Sequence, residues 1–194
     1  MAILKIARMG HPVLRRAAEP IADPTASEVT ALVGHMVDTM ADADGVGLAA
    51  PQVYVPARLV IYRIPPAPDA PERYRAAGLG EESPEVPLSV LINPKIEPLT
   101  DDSEEALEGC LSVPGMTGMV RRPTRIGYRA LGLDGGEIEG TAEGFHARVI
   151  QHECDHLEGI LFPRRMTDLA TFGFAEEIER CLMEERKEEE PENG

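Results

Sequence analysis

Apolar residues recur every three or four positions in one stretch of the chain, which is the spacing of an amphipathic helix, and a second stretch is also predicted to be helical. The first stretch follows Thr25 and Ser27, either of which can cap the start of a helix. Its apolar positions share one face and are assigned to the core: Val29, Leu32, Val33, Met36, Val37 and Met40. The second stretch predicts a helix over about 143–158, ended by Gly159. The pattern therefore predicts two long helices that are far apart in the sequence.

Shorter apolar runs between these helices predict strands. Residues 58–64 and 89–94 are strand candidates, and residues 126–142 have a hairpin pattern that turns at Asp134, Gly135 and Gly136. Residues 45–53 are interpreted as a loop that opens with glycine and closes with proline.

Two segments depart from these patterns. Residues 65–87 carry six prolines among Ala, Glu and Arg, which predicts an exposed loop and not a domain boundary. A last helix is predicted from about Thr167, with Phe172, Ile178, Leu182 and Met183 as its apolar residues. Residues 186–194 are almost entirely polar and are expected to be frayed. We therefore expect a single domain over residues 1–194.

Composition and charge narrow the possible functions. A net charge of -15 argues against binding to nucleic acid or to an anionic membrane, because both would repel the protein. No apolar run of about 18 residues and no signal-like start occur, so no membrane span or export is expected. The three cysteines, Cys110, Cys154 and Cys181, form no paired motif, which favours a reducing compartment. These observations predict a cytoplasmic protein.

The second helix contains the pattern HExxH, which is typical of zinc-type hydrolases. His152 and His156 are four residues apart, so both imidazoles leave the same helix face and can bind one cation. Glu153 is close enough to reach a metal-bound water and is the natural general base. Catalytic sites of this kind use three protein ligands, so a third ligand must come from elsewhere.

Three positions were candidates for the third ligand. The metzincin pattern would need histidine at position 162, but Phe162 has no lone pair to donate. The thermolysin-like pattern allows Glu176, although that segment is so rich in glutamate that the spacing has little weight. Cys110 follows Gly109 in an extended segment and offers a soft thiolate. Cys154 points away from the histidines and is expected to be a buried structural thiol.

The glycine-rich segment G-V-G-L-A-A also resembles a dinucleotide-binding fingerprint. Such a fingerprint follows a strand and opens a helix, whereas this one follows a helix and contains Pro51. A tight glycine turn without chemistry is the simpler alternative.

Three segments, in order, resemble the peptide deformylase family. They are Gly45–Gln52 (GVGLAAPQ), Glu108–Ser112 (EGCLS) and Gln151–Gly159 (QHECDHLEG). The resemblance implies an α+β fold in which small, mostly antiparallel sheets surround the central metal-binding helix, followed by a C-terminal helix. It also implies that Cys110, His152 and His156 bind the metal.

The same resemblance implies an activity and a mechanism. Members of the family remove the formyl group from N-formyl-methionyl termini of newly made polypeptides and release formate. A metal-bound hydroxide would attack the formyl carbon, with Glu153 as general base and then general acid. The oxyanion would be stabilised by the Gln52 side chain and the Leu111 backbone N–H, and Gly47 would let the substrate backbone approach.

A methionine side chain needs an apolar pocket. Phe145, Arg148 and Val149 precede His152 on its helix face, and Val46 comes from the first motif, so these four residues are the pocket candidates. Arg148 is expected to lay its stem along the pocket wall while its guanidinium meets a carboxylate or the substrate backbone.

The resemblance leaves the metal and the partners to be tested. The ligands suit one divalent ion, either Fe²⁺, which the family commonly uses, or Zn²⁺. Expected partners are formyl-methionyl peptides and nascent chains. Some members dock on the ribosome through a basic C-terminal helix, but here the C-terminal segment is acidic, so we do not expect such docking or any contact with nucleic acid.

Overall fold

The computed structural model describes residues 2–81, 83–178 and 180–181. Its helices are α1 (Ser27–Asp42), α2 (Glu72–Ala76) and α3 (Gly144–Leu157). Its strands are β1 (Gly47–Ala49), β2 (Leu59–Ile64), β3 (Val86–Pro98), β4 (Ser103–Cys110), β5 (Val113–Pro123), β6 (Arg125–Leu131), β7 (Glu137–Glu143) and β8 (Gly173–Phe174). Further helical residues follow at 175–178 and 180–181.

The described strands form two antiparallel sheets. The larger has the order β1-β2-β3-β6-β7, and the smaller has the order β4-β5-β8. Every pairing within these sheets is antiparallel. The predicted α+β fold with antiparallel sheets and a C-terminal helix is confirmed. Both sheets supply partners for α3, which packs against β1 and β2 of the first sheet and β5 of the second.

Helix α3 is buried on nearly all sides, which explains why its sequence is not simply amphipathic. Its residues Ala147, Ile150 and Leu157 belong to the main core together with the inward-facing residues of β2. Its buried polar side chains face the smaller sheet and the cavity described below. The predicted cap is found at Gly159, whose φ of +67° is a conformation that favours glycine.

The start of α1 differs from the prediction. Ala26 is the N-cap residue, and its methyl side chain cannot make a capping hydrogen bond. The Thr25 hydroxyl, a predicted cap, donates instead to Asp23 Oδ1 at 2.7 Å. The predicted apolar stripe does pack into a second core cluster, which includes Val33, Met36 and Met40.

Two predicted loops contain regular structure. Residues 45–53 include β1 and a 3₁₀ turn (Ala50–Val53), because the backbone of β1 pairs with β2. The prediction of an exposed loop at 65–87 is wrong for the middle of that segment. It contains α2 and buries Ala67, Ala70 and Leu79 in the main core. Its prolines restrict the ends of short elements without preventing burial.

The last helix begins later than Thr167. Residues Leu169–Thr171 form a 3₁₀ turn, and β8 pairs with β5 through Phe174 and Met116 before helical residues begin at 175. The predicted positions Leu182 and Met183 and the predicted frayed tail lie outside the described residues. Within the described part of the chain, no helix has the length and apolar composition needed to cross a bilayer.

Candidate metal centre

Three side chains from two distant segments converge on one point. Cys110 ends β4, and His152 and His156 lie one helical turn apart on α3. Their ligand atoms all lie within 4.8 Å of one another, and Cys110 Sγ is 3.4 Å from His156 Nε2. One thiolate and two imidazoles in this arrangement match the donors and spacing of a transition-metal site.

The two histidine rings differ in their electrostatic environment. Although burial opposes its charged form, hydrogen bonds with Cys110 and Glu108 raise the pKa of the His152 imidazole well above its usual range. His152 Nδ1 lies 2.8 Å from Glu108 Oε2, which leaves Nε2 to face the cysteine side of the site. Burial and the neighbouring His152 hold the pKa of His156 well below its usual range, so that ring is neutral. His156 Nδ1 is buried without a hydrogen-bond partner among the described residues.

Glu108 is the centre of a buried network of charges. Besides His152, its carboxylate accepts hydrogen bonds from Arg122 at 2.5 and 2.9 Å and from Arg148 at 2.9 Å. Arg122 also donates to Asp155 at 2.9 Å. Although burial opposes ionisation, hydrogen bonds from Arg122 and His152 hold the pKa of Glu108 well below its usual range. The glutamate that orients His152 therefore stays charged.

Glu153 points into the same cavity but has a different environment. Its side chain is 5% exposed, and Oε2 has no hydrogen-bond partner among the described residues. Burial raises the pKa of this carboxyl to about 7. A carboxyl with such a pKa can accept and return a proton near neutral pH.

Gly47 of β1 makes room for Glu153. A Cβ atom at position 47 would lie 2.7 Å from Cδ and 2.8 Å from Cγ of Glu153, so any side chain there would require the Glu153 side chain to shift. The family resemblance also implies that Gly47 lets the substrate backbone approach, and that role stays a prediction. The structure shows that the glutamate itself occupies the space beside this glycine.

Gln52 is fixed from both ends of its amide. Oε1 accepts from Ala49 N–H at 2.8 Å, so Nε2 faces the site and donates to Ser112 Oγ at 3.2 Å and to Cys110 Sγ at 3.6 Å. The side chain is 1% exposed. Leu111, between Cys110 and Ser112, lines the same cavity. One polar donor is therefore preorganised next to the candidate metal ligands.

The cavity around these groups measures about 490 Å³. All four predicted pocket residues line it, namely Val46, Phe145, Arg148 and Val149. The guanidinium of Arg148 meets the carboxylate of Glu108 and also donates to Val120 O at 2.8 Å, so it is not available to the cavity as a free charge. Tyr74 of α2 packs on Phe145 with ring centroids 5.9 Å apart.

The alternative ligands lie elsewhere. Phe162 is buried and its ring stacks near that of His152, with centroids 6.4 Å apart. Glu176 is exposed and does not belong to the group of converging ligand atoms. Cys154 packs in the main core, where burial raises the pKa of its thiol to about 12. Among the described residues, the converging ligand atoms come from Cys110, His152 and His156 alone.

Several residues of the site cannot be recognised as site residues from the sequence. Glu108 lies inside the second motif next to Gly109, yet nothing in its spacing distinguishes it from an exposed glutamate. Arg122 and Asp155 are likewise ordinary charged residues until the fold brings them together. Nothing in the sequence marks Tyr74 as a residue of the site, because its segment resembles an exposed loop.

Comparison with known proteins gives a consistent result. A family profile described as polypeptide deformylase matches residues 3–172. Peptide deformylase 1 of Prochlorococcus marinus is 47% identical over 180 residues, which cover 92% of this chain and 88% of that protein. Peptide deformylase 2 of Ralstonia nicotianae is 49% identical over 174 residues, covering 90% and 93%.

Solved structures also resemble this fold. The Met-Ala-Ser-bound crystal structure of class I type b peptide deformylase from Acinetobacter baumannii superimposes with a TM-score of 0.76 at 36% identity, covering 85% of this chain and 99% of that one. The peptide deformylase of Thermotoga maritima gives a TM-score of 0.72 at 33% identity, covering 87% and 100%.

Proposed function

This chain belongs to the peptide deformylase family, an enzyme family that removes the formyl group from new polypeptides, and we propose that the centre around Cys110, His152 and His156 performs that reaction. The observation that supports these roles is the convergence of the three ligand atoms within 4.8 Å beside the buried, unpaired carboxylate oxygen of Glu153. The substrate class is the N-formyl-methionyl terminus of a nascent chain.

The residues present fit a divalent metal ion. A thiolate and two imidazoles form a donor set suited to Fe²⁺ or Zn²⁺, and Glu108 fixes the orientation of one imidazole. Bound here, such an ion supplies Lewis acidity that lowers the pKa of water to about 7 and polarises the formyl carbonyl. We propose Fe²⁺ as the ion in the cell and Zn²⁺ as an ion that the same donors accept.

Glu153 carries the proton in this proposal. Its carboxylate takes a proton from the attacking water as the new C–O bond forms. It then returns that proton to the amide nitrogen as the C–N bond breaks, which gives formate and a free amino terminus. Glu153 Oε2 has no hydrogen-bond partner in the described part of the chain, which supports this role, because a general base must be free to exchange its proton.

Gln52 and Leu111 supply the donors for the oxyanion. Gln52 Nε2 is aimed at the site because its carbonyl oxygen is held by Ala49, so little reorganisation is needed when negative charge develops. The Leu111 backbone N–H is the second donor. Gly47 contributes by accommodating the Glu153 carboxyl group.

The methionine side chain occupies the apolar part of the cavity. Val46, Phe145 and Val149 form its walls. Tyr74, which also lines the cavity, packs against Phe145. Arg148 adds its hydrocarbon stem while Glu108 binds its charge. The Met-Ala-Ser peptide bound to the Acinetobacter baumannii relative supports a peptide with methionine as the occupant. The enzyme acts in the cytoplasm, where formylated chains are made, and we assign no ribosome-docking role to its acidic C-terminal segment.

The direct test is formate release from formyl-Met-Ala-Ser. The protein is purified without oxygen, its metal is quantified, and formate is measured against bound metal. Formate in proportion to metal supports the proposal, and removing the metal with a chelator should abolish turnover until Fe²⁺ or Zn²⁺ is restored. A metal-loaded protein that releases no formate would refute it.

Two variants distinguish the deformylase from the alternative, a thermolysin-like endopeptidase with Glu176 as the third metal ligand. Cys110→Ala should lose the metal and the activity, whereas Glu176→Ala should keep both, because Glu176 is exposed and outside the ligand group. The reverse pattern, with cleavage at internal peptide bonds, would indicate a thermolysin-like endopeptidase.

A further inference from the structure

Arg73 of α2 borders the same cavity as the metal ligands and is fixed in place. Its side chain lines the cavity and is exposed to solvent. Nη2 donates to the backbone oxygen of Asp44 at 2.6 Å, and the guanidinium carbon lies 4.7 Å from the centre of the Tyr74 ring. The same ring packs on Phe145, a wall of the methionine pocket. Arg73 is therefore held at a defined place beside that pocket.

The charge of Arg73 is not neutralised by an ion pair with any described side chain. Both of its hydrogen bonds to described residues, to Asp44 O and to Tyr74 Oη, use Nη2, so Nε and Nη1 have no hydrogen-bond partner among those residues. Arg148, the other arginine that lines the cavity, is bound to Glu108 at 2.9 Å. Of these two cavity arginines, Arg73 is thus the one that can bind an anion.

The net charge of the whole protein acts against the binding of an anion. A net charge of -15 would attract basic peptides and repel acidic ones at long range. Salt at physiological strength screens charges beyond about 8 Å, so a side chain in contact with Arg73 responds mainly to Arg73. The sign of the charge preference therefore distinguishes a local effect of Arg73 from the field of the whole protein.

We propose that Arg73 is a specificity-determining residue that favours formyl-methionyl peptides with an acidic side chain at one of the two positions after methionine. The proposal rests on the deformylase function proposed above. The N–H donors of Nε and Nη1 remain for a carboxylate, and the position of the guanidinium over the Tyr74 ring limits the entropy lost on binding. Asp44 also lines the cavity, and its negative charge so near to Arg73 opposes this preference, so removing that charge should strengthen the preference.

The test compares peptides that differ only in charge. Formyl-Met-Glu-Ser, formyl-Met-Lys-Ser, formyl-Met-Ala-Glu and formyl-Met-Ala-Lys, all amidated at the C-terminus, are compared by formate release with the metal-loaded protein. At an ionic strength of about 0.15 M, where the net charge of the protein is screened beyond about 8 Å, we expect kcat/KM for the Glu peptide to be about five times that for the Lys peptide at the position that meets Arg73. The difference should lie in KM, because the contact exists before the reaction, and should fade at about 0.5 M salt.

Variants test whether Arg73 causes the preference for Glu over Lys peptides. Arg73→Gln should bring Glu and Lys peptides to within about twofold, Arg73→Glu should reverse the preference, and Asp44→Asn should increase it. Arg129→Gln is the control, because Arg129 is an exposed arginine of β6 paired with Glu139 and does not line the cavity. Its preference should equal that of the unmodified protein.

Three outcomes would overturn the proposal. They are equal kcat/KM values for the Glu and Lys peptides with the unmodified protein, a preference for lysine in that protein, and a preference for glutamate that survives Arg73→Gln. Failure to hydrolyse amidated formyl-Met-Ala-Ser at all would instead refute the deformylase function, so the two failures are distinguishable.

Discussion

Glu108 Oε2 lies 2.8 Å from His152 Nδ1, while Oε1 of the same carboxylate accepts from Arg122 and Arg148. One buried glutamate thus orients a candidate metal ligand and neutralises two buried arginines. Removing its charge would leave Arg148 without a carboxylate partner among the described residues and Arg122 with Asp155 alone, which is costly in a protein interior.

Glu108→Gln should weaken metal binding by about 10- to 100-fold and lower the free energy of unfolding by about 3–5 kcal/mol. The amide can still accept from His152 but cannot balance the charge of Arg122 and Arg148. Metal affinity is measured by competition with a chelator, and stability by denaturant unfolding. Glu104→Gln, an exposed glutamate of the same strand, is the control. Equal metal affinity in the two variants would contradict the role given to Glu108.

Glu153→Gln should retain the metal but reduce formate release by about 10²- to 10⁴-fold, since the amide cannot accept the proton of the attacking water. Turnover and bound metal are measured on the same sample. Glu158→Gln changes a half-exposed glutamate beside the C-terminal end of the same helix, which pairs with Arg58 at 2.7 Å, and should keep full activity. Retained turnover in Glu153→Gln would exclude Glu153 as the base.

Gln52→Leu should keep the metal and lose about 3 kcal/mol of transition-state stabilisation, which is a decrease in kcat of about 10²- to 10³-fold. Leucine has a similar volume but no donor for the oxyanion. Steady-state kinetics with formyl-Met-Ala-Ser would separate a loss of kcat from an increase in KM. An unchanged kcat would remove Gln52 from the mechanism.

Gly47→Ala should impair turnover because the new methyl group would displace the Glu153 side chain. Gly34→Ala is a matched glycine variant on the exposed face of α1, where an added Cβ meets nothing within 4 Å. That second variant should keep full activity and raise the free energy of unfolding by about 0.5–1 kcal/mol. Equal activity in the two variants would show that Glu153 can move without cost.

The raised pKa of Glu153 predicts a pH dependence of stability in the metal-free protein. Because the folded-state pKa is about 7 and the unfolded value is about 4.3, the folded state binds the extra proton between these pH values. This group's contribution to stability is therefore present below about pH 4 and lost as the pH rises to about 7. Denaturant unfolding of metal-free protein and of metal-free Glu153→Gln across this range should diverge accordingly. Parallel curves would rule out the raised pKa.

Periodicity predicted the parts of the fold that depend on local patterns. The apolar spacing of α1 and the glycine turn of the β6–β7 hairpin gave nearly the observed elements. The strand β1 was missed because three residues are too few for a period, and its pairing with β2 depends on tertiary contacts. The segment around α2 was misjudged because its buried alanines are indistinguishable from those of an exposed loop.

The candidate site was predictable to the extent that its residues occur in motifs. Cys110, His152, His156 and Glu153 were found from spacing and family resemblance, and the structure brings them together. The charges that support them were not found, since Glu108, Arg122 and Asp155 are brought together only by the crossing of β4, β5 and α3. A single sequence does not reveal which of its charged residues will pair in the fold.

The separation of the site residues along the chain has a consequence for biosynthesis. Gln52 and Cys110 are 58 residues apart, and Glu108 and His152 are 44 residues apart, so each contact closes a long loop. Contacts of this kind form late and slowly in folding. A growing or truncated chain that lacks His156 has no complete ligand set, so the capacity to hold metal appears only when nearly the whole domain has folded. Metal loading is therefore a sensitive reporter of complete folding in this protein.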